Sequence, residues 1–223
     1  MIMYETIKNN LLRIQEEIAP YKPNIIAVTK YFDENSIVAA YNAGLRDFAE
    51  SRANEAVEKL NKLPQNVRET SKFHFIGHLQ TNKVKKVVSN FDCIHSVDSV
   101  KLAKVISDEA QRIGKVQDML LQVNNACEEQ KFGFSKEELF NVFEDIFKLS
   151  NINVIGLMNM APLLASESEL ERLFQEVFEI KKQLQERFNC KLNELSMGMS
   201  QDYKIAVKHG ATMLRIGRKL FNK

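Results

Sequence analysis

The order of apolar runs and amphipathic stretches predicts an α/β chain folded as a single (β/α)8 barrel of TIM type, one domain over residues 1–223 with an extra N-terminal helix. Three observations carry this. Short β-type runs alternate with helical patterns eight times. One further helix precedes the first run. The length, 223 residues, is near the least that eight such units require, whereas a doubly wound open sheet would spend fewer strands on it.

The elements follow in order. Met1 to Pro20 reads as an amphipathic helix with Ile7, Leu11, Ile14 and Ile18 on one stripe. Ile25-Ile26-Ala27-Val28 is the first strand, apolar on both faces as a buried parallel strand must be, and it runs into Thr29-Lys30. Asp33 is placed to cap a helix carrying Ile37, Val38, Ala40 and Tyr41, which Gly44 stops. Leu45 to Ala49 forms the second strand and Glu50 to Leu60 the next helix. Phe73 to Ile76 is a strand closed by Gly77, followed by a helix from Leu79 to Val88. Cys93-Ile94-His95 is a strand; Ser99 to Ile113 is a helix stopped by Gly114. Met119 to Val123 is a strand, and Ser135 with Glu138 makes a capping box that opens a helix to Leu149. Val154 to Met158 is a strand, and Ser166 to Phe188 a long amphipathic helix. Glu194 to Ser196 is a short strand; Ser200 or Gln201 starts a helix ended by Gly210; Thr212 to Ile216 is the last strand.

Composition bounds the function. The chain is 44% hydrophobic and 27% charged, with 8 Gly and 4 Pro and no linker-like stretch. Its 31 Lys and Arg against 29 Asp and Glu leave a net charge of +2, too even to argue for nucleic acid or a membrane surface as partner. Cys93, Cys127 and Cys190 are odd in number, scattered and free of any C-x-x-C, which points to reduced thiols. Glu5, Lys8, Glu16 and Glu17 are wrong for a signal peptide, and no run of about 18 apolar residues occurs. A soluble, cytoplasmic protein is the expectation.

Lys30 carries the chemistry. It stands where a strand hands over to a helix, on the rim where barrels keep their reactive groups. A rim lysine that is partly desolvated is a competent nucleophile for an aldehyde; taken alone, the segment also fits a lysine that merely ends the strand in solvent. Two late segments shift the balance. Leu195 to Ser200 follows the seventh strand and Arg215-Ile216-Gly217 ends the eighth, the two places where barrels bind phosphate. Ser196 and Ser200 supply hydroxyls there, and Gly198 and Gly217 allow close backbone approach, although the same residues also serve as caps and turn punctuation. A rim lysine facing a phosphate cradle describes a pocket for pyridoxal 5′-phosphate (PLP), with Lys30 forming the internal aldimine. Arg215 would then point at the ring nitrogen; a guanidinium accepts no proton, so that nitrogen stays unprotonated and the ring is a weaker electron sink.

On these residues the chain resembles the pyridoxal phosphate homeostasis protein family, whose fold is similar to the barrel domain of alanine racemases. The matching runs are Ala27 to Lys30, Phe73 to Lys83, Ile94 to Asp98, Gly156 to Met158, Leu195 to Asp202, and Arg215 to Gly217, in order along nearly the whole chain. The resemblance implies a PLP-binding protein of vitamin B6 supply, with Lys30 as the Schiff-base lysine and no catalytic turnover. It implies cofactor contacts from Lys30, Ser196, Ser200, Arg215 and the backbone around Gly217; Met197 and Arg218, in the same two segments, are further candidate cofactor contacts. PLP, other B6 vitamers and PLP-dependent apoenzymes are the implied partners, with no metal, and a monomer is implied. Two positions depart from the family pattern. Ala49 stands where the second-strand loop usually has glycine, and Arg218 follows Arg-Ile-Gly where a small residue, often threonine, is usual.

Rival readings weigh less. A racemase or decarboxylase on this barrel would be completed by a second β domain, for which the residues after the eighth strand leave no room. A cofactor-free Schiff-base aldolase more often carries its lysine on a later strand. His74 and His78 are four apart, but Gly77 and the strand character of Phe73 to Ile76 argue against a zinc-binding helical face. Cys93 and His95 alternate onto one strand face, as packing residues do. Lys83, Lys85 and Lys86 read as a solvated helix face, with Asn82 and Lys83 near the pocket rim.

Overall fold

The structure, a computed structural model, describes residues 2–126 and 132–222; Cys127 and Lys131 lie outside them. Eight parallel strands close into a barrel in sequence order, β1 (Asn24–Val28), β2 (Asp47–Glu50), β3 (Lys72–Phe75), β4 (Cys93–Val97), β5 (Gln117–Val123), β6 (Ile152–Asn159), β7 (Glu194–Met199) and β8 (Met213–Ile216), the last pairing back onto β1. The helices alternate with them: α1 (Ile2–Glu17) before β1, then α2 (Glu34–Asn42), α3 (Ala53–Asn61), α4 (Gln65–Glu69), α5 (Val84–Val88), α6 (Val100–Arg112), α7 (Lys136–Phe147), α8 (Glu167–Phe188), α9 (Tyr203–Lys208) and α10 (Arg218–Phe221). This is the (β/α)8 architecture the sequence predicts.

Period-two alternation splits the core in two. Ile25, Ala27, Phe48, Phe73, Phe75, Ile94, Leu121, Leu195, Met197, Leu214 and Ile216 point outward and pack with the helices in one continuous apolar layer. Ile26, Val28, Ala49 and Met213 form one cluster inside the barrel, and Cys93, Leu120 and Met158 another. Such an interior is ordinarily filled with branched apolar residues. Here His74, His95, Ser196 and Arg215 are also buried within it.

Local signals behave as the sequence reading expects. Asp33 accepts the Ser36 N–H at 3.0 Å and caps α2; Ser135 and Glu138 close a capping box on α7; Ser166 caps α8. Gly44, Gly114 and Gly210 hold positive φ at the ends of α2, α6 and α9.

Three segments depart most from the sequence reading and two short helices are added to it, each for a physical reason. Glu50 ends β2 rather than opening a helix, because its carboxylate is buried against Thr29 and Lys59. The segment from Leu79 is a loop, a 3-10 turn at Thr81–Lys83 and only then α5, since Gln80 is extended. β7 runs on to Met199 through a register shift against β8, and Gly198 sits inside that bulge with φ +93°. The short helices α4 and α10 are too brief to show periodicity; Pro64, at the N-cap of α4, is the one local cue to it.

The ends of the chain are tied together. The Asn10 side chain on α1 donates to the carbonyls of Leu220 at 3.1 Å and Asn222 at 2.9 Å. Glu17 accepts hydrogen bonds from Tyr203 and from Lys219 and pairs with Lys204.

Candidate functional site

A cavity of about 780 Å³ opens at the C-terminal ends of the strands. Residues from the ends of β1, β3, β5, β7 and β8 and the loops after them line it. A smaller hollow of about 490 Å³ opens between α8 and α9 beside the starts of β1 and β8, lined by Phe178, His209 and Thr212. Barrel chemistry belongs to the first face.

Lys30 is half-buried at the end of β1 and lines the large cavity, its Nζ 5.0 Å from the centroid of the Tyr31 ring. The backbone just before it is pinned: the Thr29 N–H donates to the Ala49 carbonyl at 2.9 Å and its hydroxyl to Glu50 at 2.8 Å. Burial of that carboxylate is offset by Lys59, whose Nζ donates to Glu50 at 2.6 Å and to the Thr29 carbonyl at 2.8 Å.

Arg215 also lines the cavity, from β8, and is 3% exposed. Its Nη1 donates to the carbonyl and hydroxyl of Ser196 at 2.6 and 2.7 Å, and its Nη2 to the Asn159 carbonyl at 2.7 Å. A guanidinium has five N–H donors, and these three bonds leave two of them. Burial pulls Arg215 down to about 10, against the charge of Asp202, so it stays a cation at neutral pH. Burial in turn pushes the Asp202 carboxyl up, opposed by the Met199 N–H and by Arg215.

Ser200, Gly217 and Arg218 meet at the same face. The Ser200 hydroxyl accepts the N–H of Gly217 at 3.3 Å and of Lys219 at 3.4 Å, joining the loop after β7 to the first turn of α10. Arg218 is exposed at the cavity mouth. A Cβ on Gly217 would meet Val28 only at ordinary contact distance, so packing does not demand glycine there. Gly198 is different: at φ +93° a Cβ would fall 2.7 Å from the Ala206 methyl, so this glycine serves the fold rather than a ligand.

The structure thus brings Lys30, Ser200, Arg215, Gly217 and Arg218 onto one cavity and leaves two expected residues off it. Ser196 is fully buried beneath the cavity, its hydroxyl occupied by Arg215 and His95. Met197 faces outward into the helix layer, because one step along a strand flips the side chain. Asn82 and Lys83 are not cavity residues either. The Ala49 methyl packs inward with Ile26, Val28 and Met213 rather than into the cavity.

Sequence reasoning missed Phe132, which stacks on His78 at 3.6 Å between ring centroids, and Tyr31, Ser51, Gln122, Met160 and Leu163. His78 also pairs with Asp98 at 3.2 Å. Nearness to a strand end was the signal that could have found them.

The donor set suits a phosphorylated aldehyde with a pyridine ring. Among the described residues the lining holds Lys30, Arg215 and Arg218 and no carboxylate. The rest is largely apolar or aromatic, as a ring-binding cleft is.

Comparison with known proteins agrees with this chemistry. The family model for the alanine racemase N-terminal domain matches residues 2–222. A pyridoxal phosphate homeostasis protein of Synechocystis sp. is 41% identical over 208 residues, covering 92% of this chain and 94% of that one. One of Aquifex aeolicus is 38% identical, covering 89% and 86%. Among solved structures, PipY of Synechococcus elongatus PCC7942 with PLP bound is 34% identical at a TM-score of 0.87, covering 97% of this chain and all of the other; its form without PLP superposes at 0.91.

Proposed function

Because the chain belongs to the pyridoxal phosphate homeostasis protein family, we propose that it binds PLP in the large cavity through Lys30 and serves intracellular vitamin B6 homeostasis. The observation that carries the assignment to specific residues is the convergence of Lys30, Arg215 and Ser200 on one cavity whose lining, among the described residues, holds no carboxylate. The Lys30 amine condenses with the aldehyde, forming one C=N bond and releasing one water. Ser200, the backbone around Gly217 and Arg218 hold the phosphate, and Arg215 faces the ring nitrogen. When bound, the cofactor supplies an electrophilic aldehyde and an electron-withdrawing ring. The residues around it do the holding.

The reading is of a carrier rather than a catalyst. A guanidinium leaves the pyridine nitrogen unprotonated, which weakens the ring as an electron sink. The relatives bear the name of homeostasis proteins, in keeping with that. Among the described residues no helix is long and apolar enough to cross a membrane, in keeping with a cytoplasmic carrier. A single-domain monomer that passes PLP to apoenzymes and also accepts other B6 vitamers completes the proposal.

The test is an absorption spectrum after PLP is added and the protein dialysed, wild type beside Lys30→Ala. A Schiff-base band in wild type that is lost in the variant supports the assignment. Two colourless proteins overturn it. Steady-state racemisation or decarboxylation of any common amino acid would move the protein to the enzyme class.

A further inference from the structure

Beneath the cavity a line of polar side chains crosses the barrel interior, and nothing in the holding of PLP by Lys30 and Ser200 requires it. Ser196 Oγ lies 2.8 Å from His95 Nδ1, His95 Nε2 lies 2.9 Å from His74 Nδ1, and His74 Nε2 lies 2.9 Å from Asp47 Oδ1. His74, His95 and Ser196 are buried; Asp47 is half-buried at the start of β2, at the opposite end of the barrel from the cavity.

The donors can be assigned from the Arg215 end, because a guanidinium only donates. Arg215 gives a proton to Ser196 Oγ, so the Ser196 hydroxyl is free to give its own to His95 Nδ1. His95 is then protonated at Nε2 and donates to His74 Nδ1, and His74 Nε2–H donates to the Asp47 carboxylate. Every bond runs one way. Reversing any link leaves the buried Ser196 proton without an acceptor in the chain. Two of its members agree with the direction: burial above all, with the Arg215 charge, holds His95 well below the usual imidazole range. At Asp47 burial is outweighed by hydrogen bonds from His74 and Asn24, which keep the carboxylate ionised.

The same cluster excludes another reading. His74, Cys93 and His95 have ligand atoms close enough to share a metal ion. Yet all four ring nitrogens are already engaged in the chain, and burial holds the Cys93 thiol protonated.

We propose that Asp47, His74, His95 and Ser196 are positioning residues for Arg215, a one-way hydrogen-bond chain that fixes how its guanidinium meets the pyridine end of the ligand. This rests on the reading that Arg215 faces that end of bound PLP. A serine held by a histidine of fixed tautomer stays an acceptor toward Arg215. The guanidinium is therefore kept from turning its spare protons away from the cavity.

Two measurements test it. In ligand-free protein labelled with 15N at histidine, His95 is expected neutral and protonated at Nε2 at pH 7, and His74 is expected to carry a proton at Nε2. A charged His95, or one protonated at Nδ1, overturns the chain. With PLP labelled at the pyridine nitrogen, Ser196→Ala is expected to shift the bound ring-nitrogen resonance and weaken PLP binding about three- to tenfold. Asp47→Asn, at the end of the barrel away from the cavity and spared the risk of a cavity in the core, is expected to shift the same resonance in the same direction. An unchanged resonance in Asp47→Asn, and in Ser196→Ala if that variant folds, overturns the proposal while leaving PLP binding intact. No bound resonance in wild type would instead sink the functional reading itself, and the positioning role with it.

Discussion

The Lys59 ammonium lies 2.6 Å from the Glu50 carboxylate, at the base of the peptide that presents Lys30. The two side chains are 13% and 3% exposed, so neither charge has water as a substitute partner. Removing one member of such a pair costs about 3–5 kcal/mol, because the other is left buried and uncompensated. Lys59→Met should therefore lower unfolding free energy in urea by that amount. It should also weaken PLP binding, since Lys59 holds the carbonyl of Thr29. The double variant Lys59→Met with Glu50→Gln should recover part of the stability. A single-variant loss under about 1 kcal/mol, the range of an exposed pair, would refute the role.

Ser200 should report on the phosphate alone. Its hydroxyl bridges the loop after β7 and the start of α10, where the proposed phosphate contacts converge. A hydrogen bond to a charged group contributes about 1.5–3 kcal/mol, so Ser200→Ala should weaken PLP binding about tenfold or more in equilibrium dialysis. Binding of pyridoxal, which lacks the phosphate, should be nearly unaffected. Equal losses for both ligands would mean that Ser200 shapes the cavity rather than contacting the phosphate.

Gly198→Ala should be costly without touching any ligand. The residue would take a strained φ and drive a methyl against Ala206 and Leu214. Strain and overpacking together predict a loss of about 2–5 kcal/mol, read from thermal unfolding by circular dichroism. A stability within about 0.5 kcal/mol of wild type would show that the bulge in β7 can relax.

Acid should loosen the joint between the first and last helices. Burial pushes the Glu17 carboxyl up, but hydrogen bonds from Tyr203, Lys219 and Lys204 outweigh it and bring it down to about 2, from an ordinary 4.5. The folded state thus binds its proton more weakly than the unfolded one, and the stabilisation is complete above pH 4.5. It fades as pH falls from 4.5 toward 2. Glu17→Gln should be less stable than wild type at pH 7, by about 1–2 kcal/mol, a charged hydrogen bond reduced by solvent screening. The gap should narrow across that acid window. A gap independent of pH would mean that shape rather than charge matters there.

Much of this was legible in the chain because barrels repeat a simple local grammar. Ile25 to Val28 announce a buried strand, and Lys30 at its end is conspicuous for being charged; Asp33, Ser135 and Gly44 mark helix boundaries by chemistry that acts over three or four residues. What was hidden depends on pairing between distant strands. Ser196 looked like a phosphate ligand beside a glycine, and only the register of β7 against β8 puts it under Arg215. Met197 was drawn into the site by its neighbours, although alternation sends it outward. Likewise His74 and His95 belong to strands that pair through Cys93 and Ile94, a relation no window of sequence contains.

The Asn10 amide, clasping the carbonyls of Leu220 and Asn222, changes how the scaffold can be reduced. Among the described residues, all that line the cavity come from Val28 or later, so a minimal barrel trimmed to its eight β/α units would keep that inventory. It would lose the brace that sets the height of α10, and with it the placement of Arg218 and Asn222. None of the described residues of the first helix lines the cavity, yet the helix braces an element that does, and a minimised design would have to supply a replacement for it.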